Sequence, residues 1–387
     1  PGLTRIIETG LSSGRLQFTT SPNDLHNDIE LLWVAYDTPV NEDDVADVDF
    51  VSTQIKIVLP YLPTNTTVLI SSQMPVGSIH QLEVFSESEY PEKALSFAYS
   101  PENLRLGKAL DVFLNPDRIV VGTRSAKDKE RIGSLFQTIT DRVEWMSVES
   151  AEMTKHAINS FLAMSVVFAN EIAAFCEAVG ADAKEVERGL KSEQRIGRKA
   201  YLSPGSAFAG GTLARDVEFL KLISKSHKLS MPLLEAVKVS NDKHKSWINR
   251  KLELLFPKLE GLVVVVWGLT YKSGTDTLRR SLAVELCNWL MKQGVKIRIH
   301  DPLIKKIPTD LKNCAKRFDD TLDSLKGADA LVIATEHPEY KKISASIISK
   351  INPALVVIDP NRFLSNLENS SDLLYIAVGS PAVRRLT

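Results

Sequence analysis

SAEMTKHAINSFLAMSVVFANEIAAFCEAVG, residues 150–180, decides how the chain is organised. Its apolar residues return every three or four positions, Glu152 stands in the first turn, and Gly180 is placed to cap the C-terminus. The spacing therefore predicts one long helix. Before it, short apolar runs alternate with polar segments of helical spacing. Strands are expected at 30–36 (ELLWVAY), 67–72 (TVLISS), 118–123 (RIVVGT) and 143–147 (VEWMS), with helices over 47–62 and 125–139. That alternation is the pattern of a parallel sheet with crossover helices. After residue 180 the strands stop, and further helices follow Asp216 and Met231, the second with Pro232 near its first turn. The alternation then returns, with strands at 262–268, 296–300, 330–335, 355–359 and 373–378 and a helix over 281–294. The expected fold class is α/β, with two parallel-sheet domains joined by a central helical region that contains the long helix. The expected boundaries are 1–148, 149–257 and 258–387.

The 387 residues are 44% hydrophobic, enough for several cores, and carry a formal charge of −1. So even a balance argues against a general nucleic-acid or membrane-surface role, although local basic patches can still hold phosphates. Cys176, Cys287 and Cys314 are far apart and form no CxxC, which reads as reduced thiols in a cytoplasmic protein. The longest uninterrupted apolar runs, such as LVVVVWGL at 262–269, are strand-length, so no membrane span or leader is expected. The seven histidines are scattered, and no metal site is expected. The opening, PGLTRIIETGLSSGRL, reads like the middle of a domain, and a preceding segment is expected.

In doubly wound sheets, ligands sit beyond the carboxyl ends of the strands. The turns to inspect are YDTPV after the first expected strand, SSQMPVGS after the second, WGLTYKSGTDTLRRS after residue 266, and DPNRF after residue 358. No GxGxxG occurs anywhere, so the usual dinucleotide fingerprint is not in this sequence. PGSAFAGGTLARD, residues 204–216, packs glycines and alanines around Phe208 and lets backbone approach a ligand closely. Lys155 and Asn159 share a helix face, either as a solvated polar stripe or as an ammonium and amide set for catalysis. Asp216 reads as a cap of the following helix or as a working carboxylate, and Glu102 as a turn acid or a general acid or base.

Four stretches carry a resemblance: SPENLRLGKALDVFLNPDRIVVGT (100–123), KHAINSFLAMSVVFANEIAAFCEAVGAD (155–182), RIGRKAYLSPGSAFAGGTLARDVEFL (195–220) and VVWGLTYKSGTDTLRRSLA (265–283). In that order they resemble the UDP-glucose/GDP-mannose 6-dehydrogenase family, and the likeness runs through the whole chain. The resemblance implies an N-terminal Rossmann domain binding NAD, a central helical dimerisation region, and a C-terminal Rossmann-like domain binding the nucleotide sugar. It implies cofactor contacts at Thr38, Pro39, Pro75, Glu102 and Arg279, and substrate contacts at Lys155, Asn159, Arg195, Tyr201, Phe208, Gly210, Gly211 and Lys272. Family members oxidise the C6 alcohol of the sugar twice, the second time through a cysteine thioester. Glu102, Lys155, Asn159 and Asp216 match the catalytic acid, lysine, asparagine and aspartate, but the cysteine of the family's GGxCxxxD pattern is Thr212 here. Other departures are Gln73 in the loop after the second strand, Arg280 in place of an acid, and Asn361 followed by Arg362 where the family has an arginine first.

A threonine hydroxyl is hardly ionised near neutral pH, so a thioester route through residue 212 is not expected. Three functions stay open. The first is an NAD-dependent dehydrogenase of a nucleotide sugar, serving polysaccharide biosynthesis, that stops after one hydride or finishes by water attack. The second is an inactive nucleotide-sugar-binding relative, and the third an assembly partner. Without the glycine-rich loop, the chain as it stands is expected to bind NAD weakly and to be inactive. UDP-glucose or a UDP-N-acetylhexosamine is favoured over GDP-mannose. A homodimer through the long helix is expected, with Arg195 matching a residue that crosses the family's dimer interface or else an ordinary surface arginine.

Overall fold

The computed structural model of the chain describes residues 2–41, 46–102, 104, 108–209, 211–368 and 370–381. They form two compact units, Pro1–Ile158 and Asn159–Thr387. The division falls inside one helix.

The first unit opens with α1 (Leu3–Ser12) and alternates β1 (Leu31–Val34), α2 (Val48–Val58), β2 (Thr67–Ile70), α3 (Ser78–Glu89), β3 (Ser96–Tyr99), α4 (Ala109–Leu114), β4 (Ile119–Gly122), α5 (Ala126–Phe136) and β5 (Val143–Met146). The sheet order is β1-β2-β3-β4-β5. β1, β2 and β3 are parallel, β4 and β5 are parallel to each other, and β4 meets β3 antiparallel through the single pair Tyr99–Gly122. Successive strand residues face opposite sides. Val68 and Ile70 therefore pack with Val51, Ile55 and Leu82 on one side, while Leu69 packs with Ile132 and Phe136 on the other. Burial on both faces is why these strands read as unbroken apolar runs. β3 was not expected from the sequence: SFAY is short and begins on a serine.

α6 (Val148–Val179) is the long helix, ending at Gly180 with φ 80° as its spacing requires. By length and composition alone it is apolar enough to cross a membrane, a test that the core helix of a soluble protein also passes. Its apolar residues are interleaved with Glu152, Lys155, His156, Asn159 and Asn170, all of which are buried.

In the second unit, α7 (Ala183–Ser192), α8 (Thr212–Ser226), α9 (Pro232–Lys245) and α10 (Trp247–Leu255) precede β6 (Val263–Trp267), α11 (Leu282–Lys292), β7 (Lys296–His300), β8 (Ala315–Arg317), β9 (Ala330–Ile333), α12 (Ala345–Ile351), β10 (Val356–Ile358), α13 (Ser365–Glu368) and β11 (Leu374–Ile376). The sheet order is β11-β10-β9-β6-β7-β8, and every pair is parallel. Val264 and Val266 face α11 through Leu286 and Leu290, while Val265 and Trp267 face Tyr340, Ile348 and Leu367. The chain winds one way from β6 and the other way from β9, so the order reverses between those two strands. That reversal is where a doubly wound sheet opens a crevice at its carboxyl edge. β8 (AKR) was missed for the same reason as β3, too little apolar sequence.

Candidate functional site

The second unit holds a cleft of about 610 Å³ at that reversal, within the usual range for a small-molecule site. Thr270–Ser273 reach it from the end of β6, Ala334–Glu336 from β9, and Pro360 and Asn361 from β10. The lining also includes Tyr201, Ser206–Ala209 and Thr212. The β6 turn is fixed from below by Asp301, whose carboxylate accepts from the backbone N–H groups of Leu269 (2.6 Å) and Thr270 (3.1 Å) and lies 3.3 Å from His337 Nε2. Burial alone would push that carboxyl up. The His337 and backbone hydrogen bonds outweigh it and hold Asp301 far below the usual carboxylate range. Thr335 Oγ1 then donates to the Thr270 carbonyl at 2.6 Å, tying the β9 loop to the β6 turn.

The glycine-rich stretch has no regular structure before α8, so its backbone groups need side-chain partners. They come from three separate elements. Asn170 Oδ1 on α6 accepts from Gly205 N–H (2.9 Å), and Asn361 Oδ1 after β10 accepts from Ser206 N–H (2.7 Å). Asn241 on α9 takes both groups of Phe208, at 3.0 Å and 2.8 Å, and His244 Nε2 lies 2.8 Å from the Gly205 carbonyl. Burial pushes the His244 pKa down, so it stays neutral and donates that hydrogen. Upstream, Ser203 Oγ donates to Glu187 at 2.5 Å. Burial opposes ionisation of Glu187, but hydrogen bonds from Lys191, Ser203 and Lys184 win and bring its pKa to about 2.

α8 starts at Thr212, so Asp216 is not the cap of a later helix but lies in the helix's second turn, fully buried. Four residues apart, Thr212 and Asp216 share a helix face. Thr212 is on the exposed, cleft-lining end, and Asp216 accepts from Asn159 Nδ2 at 2.6 Å. Tyr201, Phe208 and Lys272 line the cleft. Gly211, with φ 103°, admits the turn into α8. Gly210 lies outside the described residues. Arg195 is 87% exposed and pairs with Glu193, away from the lining.

In the first unit, Lys155 is buried and its Nζ donates to the Glu102 backbone carbonyl, while the Glu102 carboxylate accepts from Leu104 N–H at 2.6 Å. α6 thus brings its lysine to the loop after β3. Two neighbours on the same helix, whose role the sequence did not reveal, fix the loop after β2. Glu152 accepts from Gly77 N–H (2.8 Å) and Ile79 N–H (3.1 Å), and His156 Nε2 lies 3.0 Å from the Met74 carbonyl. Burial raises the Glu152 carboxyl pKa despite those two donors. Thr38 is buried and donates from Oγ1 to the Gln73 carbonyl at 2.7 Å, which joins the loops after β1 and β2. Pro39 and Pro75 lie on those same loops, at the carboxyl ends where a dinucleotide is expected. A pyrophosphate, however, needs free N–H groups at a helix start. The helix that follows β2, α3, has its first N–H groups taken by Glu152. The start of α3 is thereby closed to a pyrophosphate, while the loops after β1 and β2 stand at the carboxyl ends of their strands. Arg279, in the second unit, is exposed.

An open doubly wound sheet with a cleft of this kind at its reversal point, preceded by a second α/β unit, defines a nucleotide-binding α/β enzyme class. Comparison narrows the class. Residues 1–140 match the NAD binding domain, 149–243 the central domain and 265–366 the UDP binding domain of the UDP-glucose/GDP-mannose dehydrogenase family. The chain is 31% identical to the UDP-glucose 6-dehydrogenase TuaD of Bacillus subtilis, over 99% of this chain and 84% of that protein. It is 30% identical to the UDP-glucose 6-dehydrogenase of Rickettsia prowazekii, over 98% and 88%. Among solved structures, a UDP-glucose dehydrogenase from Pyrobaculum islandicum superposes with a TM-score of 0.85 at 28% identity, covering 98% of this chain and 87% of that one. The chain belongs to the UDP-glucose/GDP-mannose dehydrogenase family, the NAD-dependent nucleotide-sugar dehydrogenases.

Proposed function

We propose that the second unit binds a UDP-sugar in its cleft with the hexose toward Thr212, and that the oxidation it serves stops short of a thioester. The observation that carries this is the shared lining: Thr212, Phe208 and Lys272 face one cleft in a unit that matches the family's UDP binding domain. Lys272 supplies a cation for the diphosphate, and the fixed backbone of residues 205–208 shapes the hexose end. Asn159 and Asp216 form a buried polar pair one helical turn from Thr212, suited to holding a hydroxyl or a water. NAD is the hydride acceptor of the family's chemistry, and no step is assigned to it here. A hydroxyl at residue 212 cannot replace a thiolate, so the proposed end point is the aldehyde. With NAD and UDP-glucose, at most one NADH is expected per sugar consumed. Two NADH with accumulation of the UDP-uronate would contradict the proposal.

The same reading proposes the three-part organisation 1–148, 149–257 and 258–387, a cytoplasmic setting consistent with three free thiols, and a homodimer. Support for the dimer lies on α6, where Phe161, Phe168 and Phe175 recur every seven residues on one face and are 62%, 47% and 69% exposed. Three phenylalanines in register on a helix leave an apolar stripe for a second copy to cover. The protein is expected at dimer mass in light scattering, and Phe168→Glu at monomer mass. A wild-type monomer at tens of micromolar would refute this.

A further inference from the structure

The N–H groups of Gly205, Ser206 and Phe208 are already taken by Asn170, Asn361 and Asn241, so these backbone donors are not available to a ligand. Reading a base in the cleft falls to side chains. His244, near the end of α9, holds the same stretch, with its Nε2 2.8 Å from the Gly205 carbonyl. A carbonyl only accepts, so Nε2 carries the hydrogen, and in the neutral ring Nδ1 is then a bare lone pair. Burial favours the neutral ring, with Arg250 acting in the same direction and the Gly205 bond and Glu177 against it. His244 lines the cleft, and its Nδ1 is not buried and has no hydrogen-bond partner among the described residues.

The other polar groups of the lining are of different kinds. Hydroxyls such as Thr270 and amides such as Asn249 offer a donor as well as an acceptor, lysines only donate, and carboxylates accept with a full charge. Nδ1 of His244 is uncharged and can only accept. It therefore calls for a donor opposite it and is repelled by a second lone pair. Uracil and cytosine are the same size and differ at this point: N3 of uracil carries a hydrogen, and N3 of cytosine a lone pair.

We infer that His244 is a specificity-determining residue of the cleft, whose Nδ1 accepts a hydrogen bond from N3–H of a uracil base and turns cytosine away. The inference rests on the binding reading above and adds to it the group that reads the base. With the hexose toward Thr212 and the diphosphate at Lys272, the base takes the part of the lining that α9 and α10 supply, from Asp242 to Asn249.

The test is calorimetric titration of the full chain with UDP and with CDP at pH 7.5, beside thermal melts. The two ligands share ribose and diphosphate, so the ratio of their affinities isolates the base. The wild-type chain is expected to bind UDP about tenfold or more tighter than CDP, as a site built around one hydrogen bond rejects the analogue that cannot make it. His244→Gln reaches as far as Nε2 and keeps an N–H for the Gly205 carbonyl, but it has carbon where the ring has Nδ1. Its melting temperature is expected to stay at the wild-type value while the preference for UDP falls to about threefold or less. A wild-type chain that binds UDP and CDP alike overturns the inference and leaves the cleft reading intact, and so does a His244→Gln chain that keeps the full preference. An equal loss for both ligands in His244→Gln also overturns it, because the ring then serves the ribose or the shape of the stretch. Failure of the wild-type chain to bind either ligand overturns both readings.

Discussion

Gly268→Ala is expected to destabilise the second unit by about 3 kcal/mol or more and to abolish nucleotide binding with it. Gly268 ends β6 with φ 85°, in the left-handed region, which by itself costs a non-glycine residue about 1 kcal/mol. The larger part is steric. An added Cβ would lie 2.4 Å from Thr335 Cβ and 2.7 Å from Thr335 N, and the second of these is backbone in the β9 loop that cannot rotate away. Moving it breaks the Thr335–Thr270 hydrogen bond that joins the two cleft loops. Gly274 is the control. It has φ 83° but nothing within 4 Å of its added Cβ, so Gly274→Ala pays only the backbone penalty, about 1 kcal/mol. Calorimetric unfolding of the two variants should separate them by several degrees. Equal losses would show that contact with Thr335 does not govern the position.

Asn159→Asp is expected to cost about 3–5 kcal/mol at pH 7.5 and much less at pH 4.5. The wild-type amide donates to Asp216 at 2.6 Å, and both residues are buried. The substitution replaces that donor with a second carboxylate. Two carboxylates this close cannot both ionise, so the pair's first proton binds with a raised pKa in the folded protein. A raised folded pKa means that the folded state gains protons relative to the unfolded one as pH falls, and stability relative to wild type recovers below that value. Asn159→Ala loses the hydrogen bond without adding charge, and its deficit of about 1–2 kcal/mol should not vary between the two pH values. Urea unfolding of all three proteins at both pH values reads the difference. A pH-independent loss in Asn159→Asp would contradict a charge-repulsion origin for its cost.

What the sequence discloses follows from how far each interaction reaches along the chain. α6 and the buried strands β2, β6 and β9 announce themselves, because periodicity and apolar runs are local. β3 and β8 are held by their neighbours and carry little apolar signal of their own. The start of α8 carries no mark in the sequence because Gly211 supplies no side-chain cap, and Asp216 is the first residue of capping type in the stretch. The residues that shape the cleft were hidden for a different reason. Asn170, Asn241 and Asn361 hold the glycine-rich stretch across separations of 35, 33 and 155 residues. An isolated asparagine carries no mark of such a partner. Thr212 was visible only by resemblance, as an unexpected residue in a familiar pattern, and the structure adds its place at the mouth of the cleft.

The central claim is that the second unit is a UDP-sugar site whatever the extent of the chemistry beside it. Titration of the full chain with UDP, UDP-glucose and GDP at one pH, repeated with Lys272→Glu, tests it most directly. The account predicts saturable one-to-one binding of UDP and UDP-glucose, weaker binding of GDP, and a loss of at least tenfold in Lys272→Glu as the diphosphate meets a repelling charge. Undetectable UDP binding by the folded wild-type protein, or the same affinity in Lys272→Glu, would contradict it.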